Sequence, residues 1–287
     1  MSASCTGRIQ RANASVGTHM REESVQVRGL RIAFASAGNG PSLVLLHGGW
    51  SDSRIWRRQL VGLGEDFGIR AWDAPGCGRS SDPPEDWRMA DYADCLAAWM
   101  EAVGIERPHI LGLSWGGTLA LALYRRHPEV PASLLLAGAY AGWAGSLPPE
   151  VVSERVQRAR SELERPPEEW VAGYIPGFFS EAAAPGLAAE FEAIMSELHP
   201  DGTRTMLNAM AEADLRDVLP RIRVPTLLIY GELDQRSPLS VAEELHARIP
   251  TSELVILPGV GHVACAEAPE AFNDAVRAFL GRIDLLG

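Results

Sequence analysis

Lysine is missing from this 287-residue chain: its 26 basic side chains are all arginine. Schiff-base chemistry and a phosphate-binding P-loop both require a lysine amine, so both are excluded. Basic residues are also in deficit, 26 against 37 acidic ones, giving a formal net charge of -11. Such a chain offers no basic stripe to neutralise nucleic-acid phosphates or to grip an anionic membrane, and neither is expected as a partner. Cysteine is sparse. Cys5, Cys77, Cys95 and Cys265 are scattered with no C-x-x-C spacing, which is neither a zinc site nor a redox motif and reads as free thiols in a reducing compartment. Long apolar runs are lacking too: the first twenty residues are polar and small, and no later run is long enough to span a bilayer. The expectation is a cytoplasmic protein that needs no metal or cofactor, with residues 1–20 as a disordered tail. Oligomeric state is not legible.

What is present is an alternation. Short apolar runs (Leu43 to Leu46, Ile69 to Trp72, His109 to Leu113, Leu134 to Ala137, Leu227 to Tyr230, Leu254 to Leu257) are separated by segments of helical period. That pattern predicts a largely parallel sheet covered by helices, its strands buried on both faces. Ser24 to Val27 and Arg31 to Ala35, around Arg28-Gly29, predict an antiparallel hairpin at one sheet edge. Tyr92, Leu96, Trp99, Met100 and Val103, and later Phe272, Val276, Phe279 and Leu280, recur at the spacing of helices with one buried face. From residue 140 to 217 the alternation stops, and charged helical segments and two Pro-Pro pairs replace it. This stretch reads as a helical cap inserted into a core of residues 21–139 and 218–287. On its Glu150 to Arg165 segment an i,i+4 pair of Glu154 with Arg158 is expected.

Four short segments carry chemistry, each just after a strand-like run. Gly112-Leu113-Ser114-Trp115-Gly116-Gly117 precedes a helix-like segment. A serine hydroxyl becomes a useful nucleophile when a sharp strand-to-helix turn exposes it beside a base, and the crowding in that turn demands glycine two residues to either side. The new helix also offers free N–H groups to an oxyanion, with Trp115 as the donor. His47-Gly48-Gly49-Trp50 is a glycine-rich loop able to bring a second N–H close; Gly49 is the first choice for that donor and Trp50 the second. His47 itself reads as structural. In Gly231-Glu232-Leu233-Asp234, Asp234 lies far enough into the loop to reach a histidine and Glu232 reads as structural. Gly259-Val260-Gly261-His262 presents an imidazole, whose ordinary pKa suits a general base. His19, His127, His199 and His246 follow no strand. Asp73 and Arg79 are expected to tie down the turn-rich loop that holds Cys77.

These segments resemble the α/β-hydrolase superfamily, in the order serine, acid, histidine, and the resemblance covers Ser24 to Leu280. It implies an α/β-hydrolase fold with a mostly parallel eight-stranded sheet, helices on both faces, and a helical cap between the sixth and seventh strands. It further implies Ser114, Asp234 and His262 as a catalytic triad and Gly49 and Trp115 as the oxyanion hole. The elbow and its helix, with Gly76 to Ser80, are similar to those of proline iminopeptidases. Those enzymes carry His-Gly-Gly-Pro-Gly, where Trp50-Ser51 follows the glycines here.

The expected activity is hydrolysis of a small carboxylic ester, thioester or lactone through an acyl-enzyme on Ser114. The apolar residues of the cap (Trp143, Trp170, Tyr174, Phe178, Phe179, Met206 and Met210) point to a small-molecule substrate with an apolar portion, contacted by Trp50, Trp143, Phe178 and Phe179. A proline-releasing aminopeptidase is the alternative and would need a cap carboxylate, Glu168, Glu169 or Glu190, to hold the substrate amine. A carbon–carbon hydrolase, a non-hydrolytic catalyst of secondary metabolism and a non-catalytic binding module are further alternatives on the same fold.

Overall fold

A computed structural model describes residues 10–11 and 20–284, so nearly all of the expected tail lies outside the described residues. Strands β1 (Gln10–Arg11), β2 (Arg21–Val27), β3 (Leu30–Ala37), β4 (Ser42–Leu46), β5 (Gly68–Trp72), β6 (His109–Leu113), β7 (Ser133–Ala137), β8 (Thr226–Gly231) and β9 (Ser252–Leu257) form one sheet in the order β1-β2-β3-β5-β4-β6-β7-β8-β9. The eight strands from β2 to β9 are the expected sheet, and β1 adds a two-residue antiparallel edge. Strands β1, β2, β3 and β5 pair antiparallel with their neighbours, and β5, β4, β6, β7, β8 and β9 pair parallel. The β2–β3 hairpin turns on Arg28 and Gly29, at φ 50° and 83°. Two left-handed residues in succession match the twist of the strands they join.

Helices follow as α1 (Arg57–Gly62), α2 (Met89–Ala102), α3 (Trp115–Arg126), α4 (Trp143–Ser146), α5 (Pro149–Leu163), α6 (Val171–Tyr174), α7 (Leu187–Ser196), α8 (Pro200–Glu212), α9 (Leu239–Arg248), α10 (Ala264–Glu267) and α11 (Pro269–Asp284). Alternate strand residues face opposite ways. Val44, Leu46, Ile110, Leu134, Leu136 and Leu228 therefore pack with Tyr92, Leu96 and Trp99 of α2 and Leu119 and Leu123 of α3. Leu43, Leu45, Leu111, Leu135, Leu227 and Ile229 pack on the other face with Leu60 of α1 and Phe272, Val276 and Phe279 of α11. The expected helices thus cover both faces of the sheet. Strand β9 departs from the sequence reading: as the outer strand it is only half covered, and Ile256 is 43% exposed. Apolar composition alone does not distinguish an edge strand from a central one.

Strand order also decides where a site can form. The chain runs from β4 outward to β5 and then crosses to β6 on the other side of β4, so a crevice opens at the carboxyl ends of β4 and β6. Leu46 pairs with Gly112, Leu113 with Ala137, Ala137 with Ile229, and Gly231 with Leu257. These registers bring the loops after β4, β6, β7, β8 and β9 to the same end of the sheet. Helices α4 to α8, which no strand interrupts among the described residues, all lie between β7 and β8.

A buried amide fixes the turn that follows β9. Gln59 of α1, fully buried, donates from Nε2 to the Cys265 carbonyl at 2.8 Å and to Asn273 Oδ1 at 3.0 Å, joining α1 to α10 and α11. Gln59→Leu removes the donor and leaves two buried acceptors unsatisfied. It is expected to lower stability by about 1–3 kcal/mol, measurable as a lower midpoint in urea denaturation.

Candidate active site

Strand β6 ends at Leu113, and the chain turns into α3 through Ser114 at φ 52°, ψ -111°. A non-glycine residue held there costs about 1–3 kcal/mol, so its surroundings must enforce it. The Ser114 N–H donates to the Ala137 carbonyl at 2.7 Å, and its carbonyl accepts from Gly117 and Thr118 at 3.0 and 3.1 Å. A β-carbon at residue 112 would overlap the Gly116 backbone, and one at residue 116 would overlap the carbonyls of Leu46 and His47. Both flanking glycines are therefore required by close approach, and the Ser114 side chain is left partly exposed.

The loop after β4 is shaped by His47. Its Nδ1–H donates to the Gly48 carbonyl at 2.7 Å, while Nε2 accepts the Ala74 N–H at 3.1 Å. That pairing requires the neutral ring, and burial lowers the His47 pKa from its ordinary value. His47 is thus structural, as the sequence indicated. Beyond it Trp50 sits at φ 65°, its ring packed on Trp170 and Tyr174 at centroid distances of 5.3 and 4.9 Å. Among the described residues, the backbone N–H groups of Gly49, Trp50 and Trp115 donate to no protein acceptor.

The loops after β8 and β9 meet in a buried pair. Asp234 Oδ2 accepts from His262 Nδ1–H at 2.7 Å, with the two side chains 0% and 3% exposed. Asp234 Oδ1 accepts the N–H groups of Arg236 and Ser237, both at 2.8 Å. Further hydrogen bonds fasten this region. Glu232 Oε2 accepts the Gly259 N–H at 2.8 Å, the structural role expected of it. Glu267 accepts from Gly261 N–H at 3.0 Å and from the N–H and hydroxyl of Ser180. Val263 N–H donates to the Phe178 carbonyl at 3.1 Å, so the histidine loop and the α6–α7 connection are stitched together. The elements after β5 are equally bound: Asp73 accepts from the N–H groups of Ser53 and Arg79 at 2.8 and 3.2 Å. Cys77 is buried there, and burial pushes its thiol pKa well up, which leaves it unreactive.

Ser114 and His262 line one narrow cavity of about 40 Å³, together with Gly49, Trp50, Trp115, Tyr140, Trp143, Phe178 and residues of α5, α8 and the acid loop. No hydrogen bond joins the Ser114 hydroxyl to the imidazole. A larger cleft of about 610 Å³ opens elsewhere, bordered by the Arg54–Glu197 ion pair and by Glu190, and contains none of these residues. Among the described residues no group of three or more His, Cys, Asp or Glu side chains is placed to hold a metal ion.

The structure thus gathers Ser114, Asp234, His262, Gly49, Trp115, Trp50, Trp143 and Phe178 at one place. Phe179 is a correction: it lies outside the cavity, packed edge-on against Phe191 at 5.5 Å. The expected Glu154–Arg158 pair is a second, since Arg158 instead binds Glu162 at 2.8 Å. Glu168 and Glu169 are exposed, Glu190 is held by Arg58, and none of the three lines the cavity that holds Ser114 and His262. Three further features were not anticipated. Arg155 and Arg236 both line the cavity. Tyr140 donates its hydroxyl proton to the Arg236 carbonyl. Gly138, at φ 51°, backs the Asp234–His262 pair.

A mostly parallel sheet with a serine elbow at its switch point defines a hydrolytic enzyme of the doubly wound α/β class. The sequence profile of the alpha/beta hydrolase family matches residues 43–275, and the chain belongs to that family. It is 27% identical to a pimeloyl-[acyl-carrier protein] methyl ester esterase of Vibrio vulnificus over 87% of this chain and 98% of that one. An esterase from Thermogutta terrifontis superposes with a TM-score of 0.84 at 27% identity, over 91% and 98% of the two chains. An enol-lactonase from Burkholderia xenovorans does so with 0.82 at 26%, over 90% and 99%. No helix among the described residues is long and apolar enough to cross a membrane.

A β-carbon at residue 138 would lie 3.1 Å from His262 Nδ1 and 3.2 Å from Asp234 Oδ2. Gly138→Ala is therefore expected to displace the imidazole and lower kcat on p-nitrophenyl butyrate about 100-fold. Steady-state kinetics, with circular dichroism to verify folding, measure the effect.

Proposed function

We propose that this enzyme hydrolyses small carboxylic esters, thioesters or lactones through an acyl-enzyme on Ser114. The observation that carries the proposal is the buried 2.7 Å bond from His262 to Asp234, in a cavity whose wall includes Ser114. That bond fixes the proton on Nδ1 and leaves Nε2 as a base. Nε2 takes the Ser114 proton as Oγ adds to the substrate carbonyl. The N–H groups of Gly49 and Trp115 hold the resulting oxyanion, and their lack of an internal acceptor supports that role. Collapse expels the alcohol or thiol with the proton returned by His262. Water, deprotonated by the same nitrogen, then attacks the acyl carbonyl, releasing the carboxylic acid and restoring Ser114. The missing Ser114–His262 hydrogen bond is compatible with this route, because catalytic hydrogen bonds often tighten only around bound substrate.

Trp50, Trp143, Phe178, Met206 and Met210 supply an apolar wall for the acyl or alcohol group. The similarity to an ester hydrolase and a lactonase supports the substrate class. The amide-cleaving alternative loses its amine-binding carboxylate and is set aside. A cytoplasmic location is part of the same reading, supported by the unpaired thiols Cys77, Cys95 and Cys265.

Ser114→Ala is expected to abolish turnover of p-nitrophenyl acetate and butyrate while leaving the fold intact; unchanged turnover would refute the nucleophile. Asp234→Asn is expected to cost about 10⁴-fold in kcat, by comparison with the equivalent change in serine proteases.

A further inference from the structure

Many arginines on the surface of this chain have carboxylates to hand. Arg54 meets Asp52 and Glu197, Arg126 meets Asp94, Arg216 meets Asp214, and Arg282 meets Glu253. With 37 acidic residues against 26 basic, that is the expected condition. Arg155 of α5 and Arg236 of the acid loop differ in place: both line the cavity that holds Ser114 and His262, and among the described residues neither guanidinium has a carboxylate partner.

Their geometry holds them ready. The Arg236 guanidinium lies over the Phe178 ring at 3.7 Å and the Tyr174 ring at 4.5 Å, and donates to the carbonyls of Gly177 and Tyr174 at 3.2 and 3.3 Å. Arg155 donates to the Tyr140 hydroxyl at 3.1 Å and to the Arg236 carbonyl at 2.9 Å, with its guanidinium 5.5 Å from the Trp143 ring. Each guanidinium has five N–H donors, so these bonds leave donors on both without a protein acceptor. The two cations also repel. Loss of water around Arg236, with Arg155 adding to it, lowers the Arg236 pKa from its ordinary value. Positive charge without a carboxylate partner beside an apolar wall is costly, and an anion arriving in the cavity that both groups line offsets that cost.

We infer that Arg155 and Arg236 form an anion-binding subsite within this active site, which receives the carboxylate of an ester substrate that carries one. The inference rests on the hydrolase reading above and narrows its substrate class. Arginine's planar fork matches a carboxylate, and fixing that end of the substrate would set the ester carbonyl against Ser114. A purely structural part for Arg236, bracing Phe178 and Tyr174, would produce no preference for a charged substrate.

The test compares isosteric pairs on the full chain. Monoethyl succinate and ethyl succinamate differ only in a carboxylate or a carboxamide on the acyl side, and acetoxyacetate and acetoxyacetamide differ likewise on the alcohol side. The expected result is a kcat/KM about tenfold or more in favour of the anion in one pair, which also identifies the arm that carries the charge. Arg155→Gln and Arg236→Gln are each expected to bring that ratio close to one; using a ratio makes the readout independent of any general loss of activity. Equal kcat/KM within both pairs, with p-nitrophenyl butyrate still turned over, overturns the subsite and leaves the hydrolase intact. Absence of all ester hydrolysis, with Ser114 unlabelled by a fluorophosphonate, overturns both.

Discussion

The backbone of one residue sets the conditions for everything at the carboxyl end of the sheet. Ser114 at φ 52° occupies a conformation that its side chain disfavours, and it stays there because the surrounding backbone has nowhere else to go. Its N–H is bonded into the β7 side of the sheet, its carbonyl into the first turn of α3, and the helix approaches β4 so closely that residue 116 can carry no side chain. The approach has a second effect. It sets the start of α3, where Trp115 has a free N–H, against the loop after β4, where Gly49 and Trp50 have theirs. A strained turn and a set of unpaired donors are thus two results of one packing contact.

The fold was legible because its signals are local. Six apolar runs of strand length, separated by helical periods, specify a parallel sheet, and glycines at fixed offsets from a serine specify an elbow. The candidate site was legible at Ser114, Asp234 and His262 for the same reason: each lies in a loop directly after a strand, and parallel strands bring such loops to one end. Other features depend on contacts between distant segments. Gly138 matters only because the imidazole packs on it, and Glu267 only because two loops bring their N–H groups to it. Phe178 and Phe179 are adjacent in sequence, yet one faces His262 at a ring distance of 6.2 Å and the other faces Phe191. In an irregular helical connection no period tells them apart.

Arg155 and Arg236 illustrate the limit more sharply. Within an arginine-rich, acid-rich chain, an arginine on a charged helix reads as a solvated face, and Arg158 one turn further on behaves that way, bound to Glu162. What separates Arg155 is the position of α5 over the cavity, where the neighbours are Tyr140, Trp143 and a carbonyl in place of a carboxylate. Charge excess therefore matters less than charge placement: a strongly acidic protein can still present a positive wall to its cavity.

The loop after β8 ties these two functions to each other. Asp234 accepts from His262 with one oxygen and, with the other, from the N–H groups of Arg236 and Ser237. The carboxylate that orients the imidazole thereby also folds the turn on which Arg236 stands. Tyr140 secures the same turn from the end of β7 by donating to the Arg236 carbonyl, and Arg155 reaches that carbonyl from α5. In the proposed mechanism, the group that aligns the base and the group that would align the substrate thus hang from one three-residue segment. A shift of that segment would move both in concert. The helical connection contributes Arg155, Trp143 and Phe178 to the cavity, and through Tyr174 and Gly177 it also supports Arg236 from outside. Its packing therefore sets the position of the guanidinium relative to Ser114, which is where substrate selectivity would be decided in this enzyme.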